Sequence, residues 1–402
     1  MKYTKQEVIQ FINEEDVKFI RLAFCDVFGT QKNISILPEE LFKAFEYGIA
    51  IDAWSIPGFD DKKRSDLFLH PDPATLVILP WRPEHGRVVR MFCDIKWPDG
   101  KPYLGDARHI LKKSVETAEK GDCRFSFGSE AEFYLFKRDA EGNPTHEPYD
   151  EAGYLDIAPA DKGENVRREI CLTLEQMGII PQTSHHEEGP GQNEIVFRHS
   201  DPLTAADNAI SFRGVVQTVA NRNGLVADFS PKPLDGKPGN GMHINFSVSS
   251  GAHFAPLVPA IAGVLNRIGD MTLFLNPTER SYLRLGREKA PNYVSWSAEN
   301  RSQLIRIPAA EGASKRAELR SPDPMTNPYI AYSLLIHAAI KGIANDEQLP
   351  PVVDFNLFSA PQEILDGLKK LPESLTEARR IASESEFIAS CLPRTIINSY
   401  LN

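Results

Sequence analysis

The segment Phe127-Gly-Ser-Glu-Ala-Glu-Phe-Tyr-Leu-Phe136 has the apolar content of a buried strand, yet it carries two glutamates in its middle. Alternate residues of a strand share a side, so Glu130 and Glu132 project together while Ala131, Phe133 and Leu135 project the other way. Burying an ionised group costs roughly several kcal/mol after relaxation, so two like charges on one half-buried face need protonation or a strong positive neutraliser. A divalent metal ion is the simplest one. His185-His-Glu-Glu-Gly-Pro-Gly-Gln-Asn-Glu-Ile195 repeats the conflict, with Glu187 and Glu194 beside apolar strand residues.

Further carboxylates and a histidine sit in similar settings. His243 lies in Gly239-Asn-Gly-Met-His-Ile-Asn-Phe246 and Glu318 in Lys315-Arg-Ala-Glu-Leu-Arg320. Oxygen ligands with a single imidazole favour Mg²⁺ or Mn²⁺, whereas zinc draws more His or Cys. The bland alternative is a set of unrelated surface glutamates, and the Glu-Ala-Glu between aromatic neighbours speaks against it. Arg284, Arg301, Arg306, Arg316 and Arg320 form a second cluster, some among apolar residues as in Leu304-Ile-Arg-Ile-Pro308. The planar guanidinium fork suits carboxylate and phosphate, so arginines beside metals suggest phosphoryl transfer; structural salt bridges are the competing reading. With no Walker loop and no Rossmann glycine fingerprint, ATP would need another kind of site.

The chain has 402 residues, 42% hydrophobic and 25% charged, enough for a large core and two domains. Its net charge of -10 excludes general nucleic-acid binding, which needs a basic surface. No stretch reads as a membrane span and Met1-Lys-Tyr-Thr-Lys-Gln-Glu has no signal-peptide core, so the expectation is a cytoplasmic protein without membrane contact. Five cysteines without a C-x-x-C pair read as buried free thiols.

The first hundred residues mix short elements: a helix near Thr4 to Asn13 and strands over Val17–Phe24, Gln31–Ile36, Thr75–Leu79 and Val88–Phe92. Trp97-Pro-Asp-Gly-Lys-Pro-Tyr103 is dense in turn formers and places a boundary near Gly105. Longer helices are predicted near 107–120, 164–177, 203–223, 260–272 and 328–343, with strands carrying the acidic motifs between them. The fold class is α+β.

Taken together, the motifs identify a family. Ile51-Asp-Ala-Trp-Ser-Ile-Pro-Gly-Phe59, the Glu-Ala-Glu strand, Gly153-Tyr-Leu155, His185-His-Glu187, Pro190-Gly-Gln-Asn-Glu194, Gly239-Asn-Gly-Met-His243, Ser281-Tyr-Leu-Arg284, Asn300-Arg-Ser302, Ile305-Arg-Ile-Pro308 and Asp323-Pro-Met-Thr-Asn-Pro-Tyr329 occur in order. In these the chain resembles the bacterial-type glutamine synthetase family over nearly its full length. The resemblance implies an N-terminal β-grasp domain over 1–104 and a catalytic domain over 105–402, with a curved antiparallel sheet flanked by helices. It implies ATP-dependent ligation of ammonia to L-glutamate through γ-glutamyl phosphate, with two Mg²⁺ or Mn²⁺ ions per site. Glu132, Glu187 and Glu194 then hold one ion, and Glu130, His243 and Glu318 the other. Arg284 and Arg320 match positions facing glutamate or the transferring phosphate, Arg301 and Arg306 match phosphate-facing arginines, and Gly239 matches a backbone contact to glutamate. His185, Asn245, Ser247, Arg306 and Arg316 fall on the ATP side, and His186 is a phosphate or structural partner. Asp52, from a neighbouring subunit, matches the acid that deprotonates ammonium beside Tyr154 and Glu187, which makes the protein a ring-forming homo-oligomer, a hexamer or a stacked dodecamer.

The sequence also departs from that pattern. The family's flap ends in Glu-Ala-Pro, but here Gly286-Arg-Glu-Lys-Ala-Pro291 is one residue shorter and sets Lys289 before Ala290-Pro291. Either Glu288 takes the flap role or a cation stands where an anion is usual, which keeps open a γ-glutamyl-amine ligase that uses a larger amine or polyamine. Asn245 stands where a second histidine is usual. The stretch from Ser247 to Leu273 is shorter than in longer relatives, and Phe358 cannot accept adenylate as the tyrosine of some relatives does. The chain stops at Ile397-Asn-Ser-Tyr-Leu-Asn402, about where the family begins a helix joining two rings. A non-catalytic structural or regulatory homologue is a third reading, opposed by the complete ligand set.

Overall fold

The computed structural model describes residues 3–59, 65–82, 85–251, 257–308 and 315–402. The N-terminal part runs α1 (Lys5–Glu14), β1 (Val17–Cys25), β2 (Gln31–Ile36), α2 (Leu41–Tyr47), β3 (Ile49–Asp52), β4 (Asp66–Pro71), β5 (Val77–Ile78) and β6 (Arg87–Lys96). Thr4 caps α1 by accepting from the Glu7 amide, and the Glu7 carboxylate returns the bond to Thr4 N, a reciprocal box that fixes where the helix starts. The strands form one sheet in the order β2-β1-β6-β4-β3, with β5 on β6 and with β1 and β6 parallel. The strand predicted over Thr75–Leu79 is shorter than expected. Asp72 accepts from the Ala74 amide and Pro73 opens a 3-10 turn over Pro73–Thr75, leaving only Val77–Ile78 to pair.

The remainder runs α3 (Ala107–Lys120), β7 (Arg124–Arg138), β8 (Pro144–Pro148), α4 (Glu164–Gln176), β9 (Pro181–His186), β10 (Gln192–Phe197), α5 (Pro202–Arg222), β11 (Leu225–Asp228) and β12 (Met242–Ser249). It continues with α6 (Leu257–Leu275), α7 (Glu279–Arg284), β13 (Trp296–Ser297), β14 (Ile305–Arg306), β15 (Ala317–Leu319), α8 (Pro328–Ala344), α9 (Gln362–Leu365), α10 (Leu375–Glu384), α11 (Glu386–Cys391) and α12 (Arg394–Leu401). Its sheet has the order β13-β14-β15-β12-β7-β10-β9, with β8 and β11 also on β7. The 15-residue β7 is therefore the spine of this sheet. Its Ala131, Phe133 and Leu135 are buried, as the alternation requires, while Glu130 and Glu132 stay half-buried on the opposite face.

Helix α6 has the length and apolarity to cross a membrane, which the sequence reading did not register, but 72% of that stretch is buried inside the protein. Its apolarity is accounted for by its packing on α8. That crossing is close: a Cβ on Gly263 would lie 2.2 Å from the Ala338 carbonyl oxygen, and one on Gly342 would lie 2.1 Å from that of Pro259. Gly263→Ala is therefore expected to destabilise the protein by about 1–3 kcal/mol, read as a lowered denaturation midpoint, because backbone must separate to admit a methyl group.

The two sheets are sewn together by buried polar bonds. Arg108 reaches Asp207, Asp94 and Asp72 at 2.9–3.1 Å. Asn327 and Tyr400 both donate to the Val27 carbonyl, and the Tyr400 ring packs on Phe28 and Phe274. Cys25, Cys93 and Cys123 are buried free thiols as expected, while Cys171 and Cys391 are only partly covered.

Candidate functional site

Strand register assembles the acidic residues. His243 on β12 stands opposite Glu130 on β7, Glu194 on β10 stands opposite Glu132, and His185 on β9 stands opposite Glu194. Further along, Glu318 on β15 pairs with Asn245 and with Arg306 of β14. Directly opposed side chains share a face, so the sheet lays these groups in one row across six strands. The acids and the two histidines line a cleft of about 720 Å³ that also receives Tyr154, Glu187, Gly239, Arg284, Glu288, Lys289, Arg301, Arg306, Arg316 and Arg320.

Ligand atoms of Glu130, Glu194 and His243 lie within 4.8 Å of one another, and so do those of His185, Glu187 and Glu194. Glu194 thus belongs to both groups, and His185 joins one of them. Glu318 lies 3.7 Å from His243 Nδ1 but is already paired to Arg320 at 2.7 Å and Arg306 at 3.3 Å. Glu132 accepts from Gln192 Nε2 and the Gly241 amide, both at 3.0 Å. Burial, then the charges of Glu132 and Glu194, push the Glu187 carboxyl up to about 7. Burial also raises Glu132. Glu130 is opposed by burial, but His243, Asn245 and Arg320 hold it down at about 2. This is a row of acids with too little positive charge of its own. Hard oxygens with one or two imidazoles fit Mg²⁺ or Mn²⁺, and the strain of packing them is relieved by such an ion.

Arginines face this row. Arg284 is buried and pinned by the carbonyls of Ser321 and Arg320 at 2.7 and 3.2 Å. Arg320 is equally buried, and its Nε has no partner among the described residues. Arg316 donates to Asn245 Oδ1, and Asn245 in turn donates to Glu130. Acids that could hold a metal on one side and guanidinium forks on the other suit a molecule with several negative oxygens.

Some expected residues lie elsewhere. Ser247, on the same face of β12, falls outside the lining of the cleft, as does Asn245, which touches it through Glu130 and Arg316. Asp52 is in the first sheet, where its carboxylate accepts from Trp54 N and Ser55 Oγ, and it does not line the cleft of its own protomer. His186 is fully buried, with Nε2 2.8 Å from Asp150 and Nδ1 2.6 Å from the Glu187 carbonyl, so of the two roles considered it has the structural one. Asp150, Gln192, Lys232 and Glu188 were not singled out from the sequence. Glu188 and Gln192 stand in the same segment as Glu187 and Glu194, while Asp150 and Lys232 carry no local signal.

The His186–Asp150 pair holds the main chain at Glu187. His186→Ala is expected to weaken Mn²⁺ binding about 10- to 100-fold, measured by titration against the electron spin resonance of free Mn²⁺, with secondary structure unchanged. Binding within twofold of the parent would show that Glu187 positions itself.

Comparison with known proteins turns on the full extent of the chain. The family model "Glutamine synthetase, catalytic domain" matches residues 104–402, and "Glutamine synthetase, beta-Grasp domain" matches 16–98. The chain belongs to the glutamine synthetase family. It is 42% identical to a glutamine synthetase of Clostridium saccharobutylicum over 100% of this chain and 94% of that protein. Against a glutamine synthetase of Methanosarcina mazei it is 43% identical, covering 99% and 92%. A solved structure described as a GmaS/ADP complex superposes with a TM-score of 0.89 at 26% identity, covering 98% of this chain and 93% of that one. The mixed α+β architecture, with a β-grasp domain and a larger catalytic domain, is that of glutamine synthetases. Membership carries an ATP-dependent ligase activity with divalent metal.

Proposed function

We propose that this chain joins ammonia to the γ-carboxylate of L-glutamate at the expense of ATP, giving glutamine. The observation that carries the reading is the acid and imidazole row facing Arg284, Arg306 and Arg320 across one cleft. Glu132, Glu187 and Glu194 would hold one Mg²⁺ or Mn²⁺, and Glu130, His243 and Glu318 the other; these ions supply Lewis-acid neutralisation of phosphate oxygens. Arg284, with Gly239 beside it, would orient the glutamate, while Arg306, Arg316 and Arg301 would hold the nucleotide phosphates with His185 at their edge. A γ-carboxylate oxygen attacks the γ-phosphorus and ADP departs. Ammonia then attacks the acyl carbon, the C–O bond to phosphate breaks, and the nitrogen loses a proton that leaves with inorganic phosphate. Arg320, whose Nε lacks a partner among the described residues, would take up the charge that gathers on the transferring group.

The division of the chain at 104/105 and the assembly belong to the same reading. Asp52 lies outside its own cleft, and exposed Leu155 and Ile157 follow Tyr154 beside the site. A neighbour's Asp52 would therefore complete each site in a ring of subunits, deprotonating ammonium. A second reading keeps the phosphorylation and uses a larger amine; the superposition on the GmaS/ADP complex supports it.

Phosphate release from ATP and L-glutamate, in Mg²⁺ and in Mn²⁺, with ammonium against a panel of amines and polyamines, tests both. Saturable ammonium-dependent release establishes the first. Release with a larger amine alone replaces it by the second, and no release with any acceptor would leave a non-catalytic homologue.

A further inference from the structure

The turn Arg287–Ala290 sends its two central side chains in different directions. It is closed by the Ala290 amide on the Arg287 carbonyl, and Glu288 adopts a φ of 38°, in the left-handed region. Glu288 accepts a bond of 2.7 Å from Lys232, a buried ammonium that also donates to the Lys237 carbonyl. Its carboxylate is thereby tied to the floor of the loop. Lys289 instead reaches over the mouth of the cleft, ion-paired with Glu188 and 5.9 Å above the centre of the Tyr154 ring. Tyr154 is itself held edge-on by His185.

An aromatic face flanked by carboxylates is the chemistry of an ammonium site. In this cleft that corner is formed by Tyr154, Glu187 and Glu188, and an ammonium, that of Lys289, already stands in it. We propose that Lys289 is a specificity-determining residue: a tethered cation that competes with the amine acceptor for the Tyr154–Glu188 corner, so that cationic acceptors are handicapped relative to neutral ones. The inference deepens the ligase reading and rests on it. A cationic acceptor has to displace Lys289 from Glu188 or approach against its charge, whereas a neutral nucleophile meets no such opposition. Lys289 and Glu188 are exposed, so neither is needed for the core.

The test is a charge-removal double-mutant cycle read with two acceptors, ammonium and hydroxylamine, the latter uncharged at neutral pH, at saturating ATP and L-glutamate. Lys289→Gln lowers KM for ammonium about tenfold, because Glu188 is left free to attract it, and changes KM for hydroxylamine less than twofold. Glu188→Gln raises KM for ammonium, and the double variant returns toward the parent. An unchanged or raised ammonium KM in Lys289→Gln would overturn the proposal, and so would an equal shift for both acceptors, which would mark the loop as a structural brace. Failure of the ligase reading looks different: the parent protein would release no phosphate with either acceptor.

Discussion

Glu194→Gln lowers ATP- and glutamate-dependent turnover by about 10³-fold or more while leaving the fold in place. Glu194 is the carboxylate common to both candidate ligand groups and stands in register with Glu132 and His185, so no neighbour substitutes for it. An amide keeps its size and supplies no anionic oxygen. Steady-state rates in saturating Mg²⁺ and Mn²⁺, together with Mn²⁺ titration, check this; turnover within tenfold of the parent would remove Glu194 from the site. The parent's pH dependence follows from the same crowding. Glu187 is raised to about 7 in the metal-free protein, so below that pH it is protonated and cannot hold a cation. Mn²⁺ affinity is therefore expected to rise as pH goes up through 7, approaching tenfold per unit on the acid side. In the metal-free fold the sign is opposite. A carboxyl raised above its unfolded value takes stability away as pH rises from the ordinary carboxylate range to about 7, and bound metal restores it.

Arg320→Ala lowers kcat by about 10³-fold, with a smaller effect on KM for ATP. The guanidinium is buried, gives one arm to Glu318 at 2.7 Å and leaves Nε without a partner among the described residues. A buried donor without a partner costs about 1–3 kcal/mol in the resting protein, which is repaid when an oxyanion arrives. Glu318 keeps Arg306 at 3.3 Å after the substitution, so the fold survives. Arg320→Lys restores charge without the planar fork and is expected to recover less than a tenth of the parental rate. Circular dichroism and single-turnover phosphate release distinguish the two effects. Full recovery with lysine would mean that charge alone is used there.

The long helices and the alternation of β7 were legible because each repeats its period often enough to be read. The helix predicted over 107–120 spans Ala107–Lys120, and the two faces of Glu130 and Ala131 separate as alternation demands. Strands β13, β14 and β15 have only two or three residues each, too short for any period, although Arg306 and Glu318 lie on them. Thr75–Leu79 is apolar enough for a strand, but Asp72 and Pro73 claim its first residue for a turn. Partnerships across loops were beyond reach. Nothing near Lys232 announces Glu288, 56 positions on, and nothing near His186 announces Asp150.

The bond from Tyr400 to Val27 spans 373 positions. Val27 leaves the ribosome early, while its hydrogen-bond donors Asn327 and Tyr400, whose ring also packs on Phe28, are still to be made. At about 5–20 residues per second the wait lasts roughly 20–75 s. For that interval the first sheet stands with the seam along Val27 and Phe28 uncovered by Asn327 and Tyr400, which makes it a surface for a nascent-chain chaperone to shield.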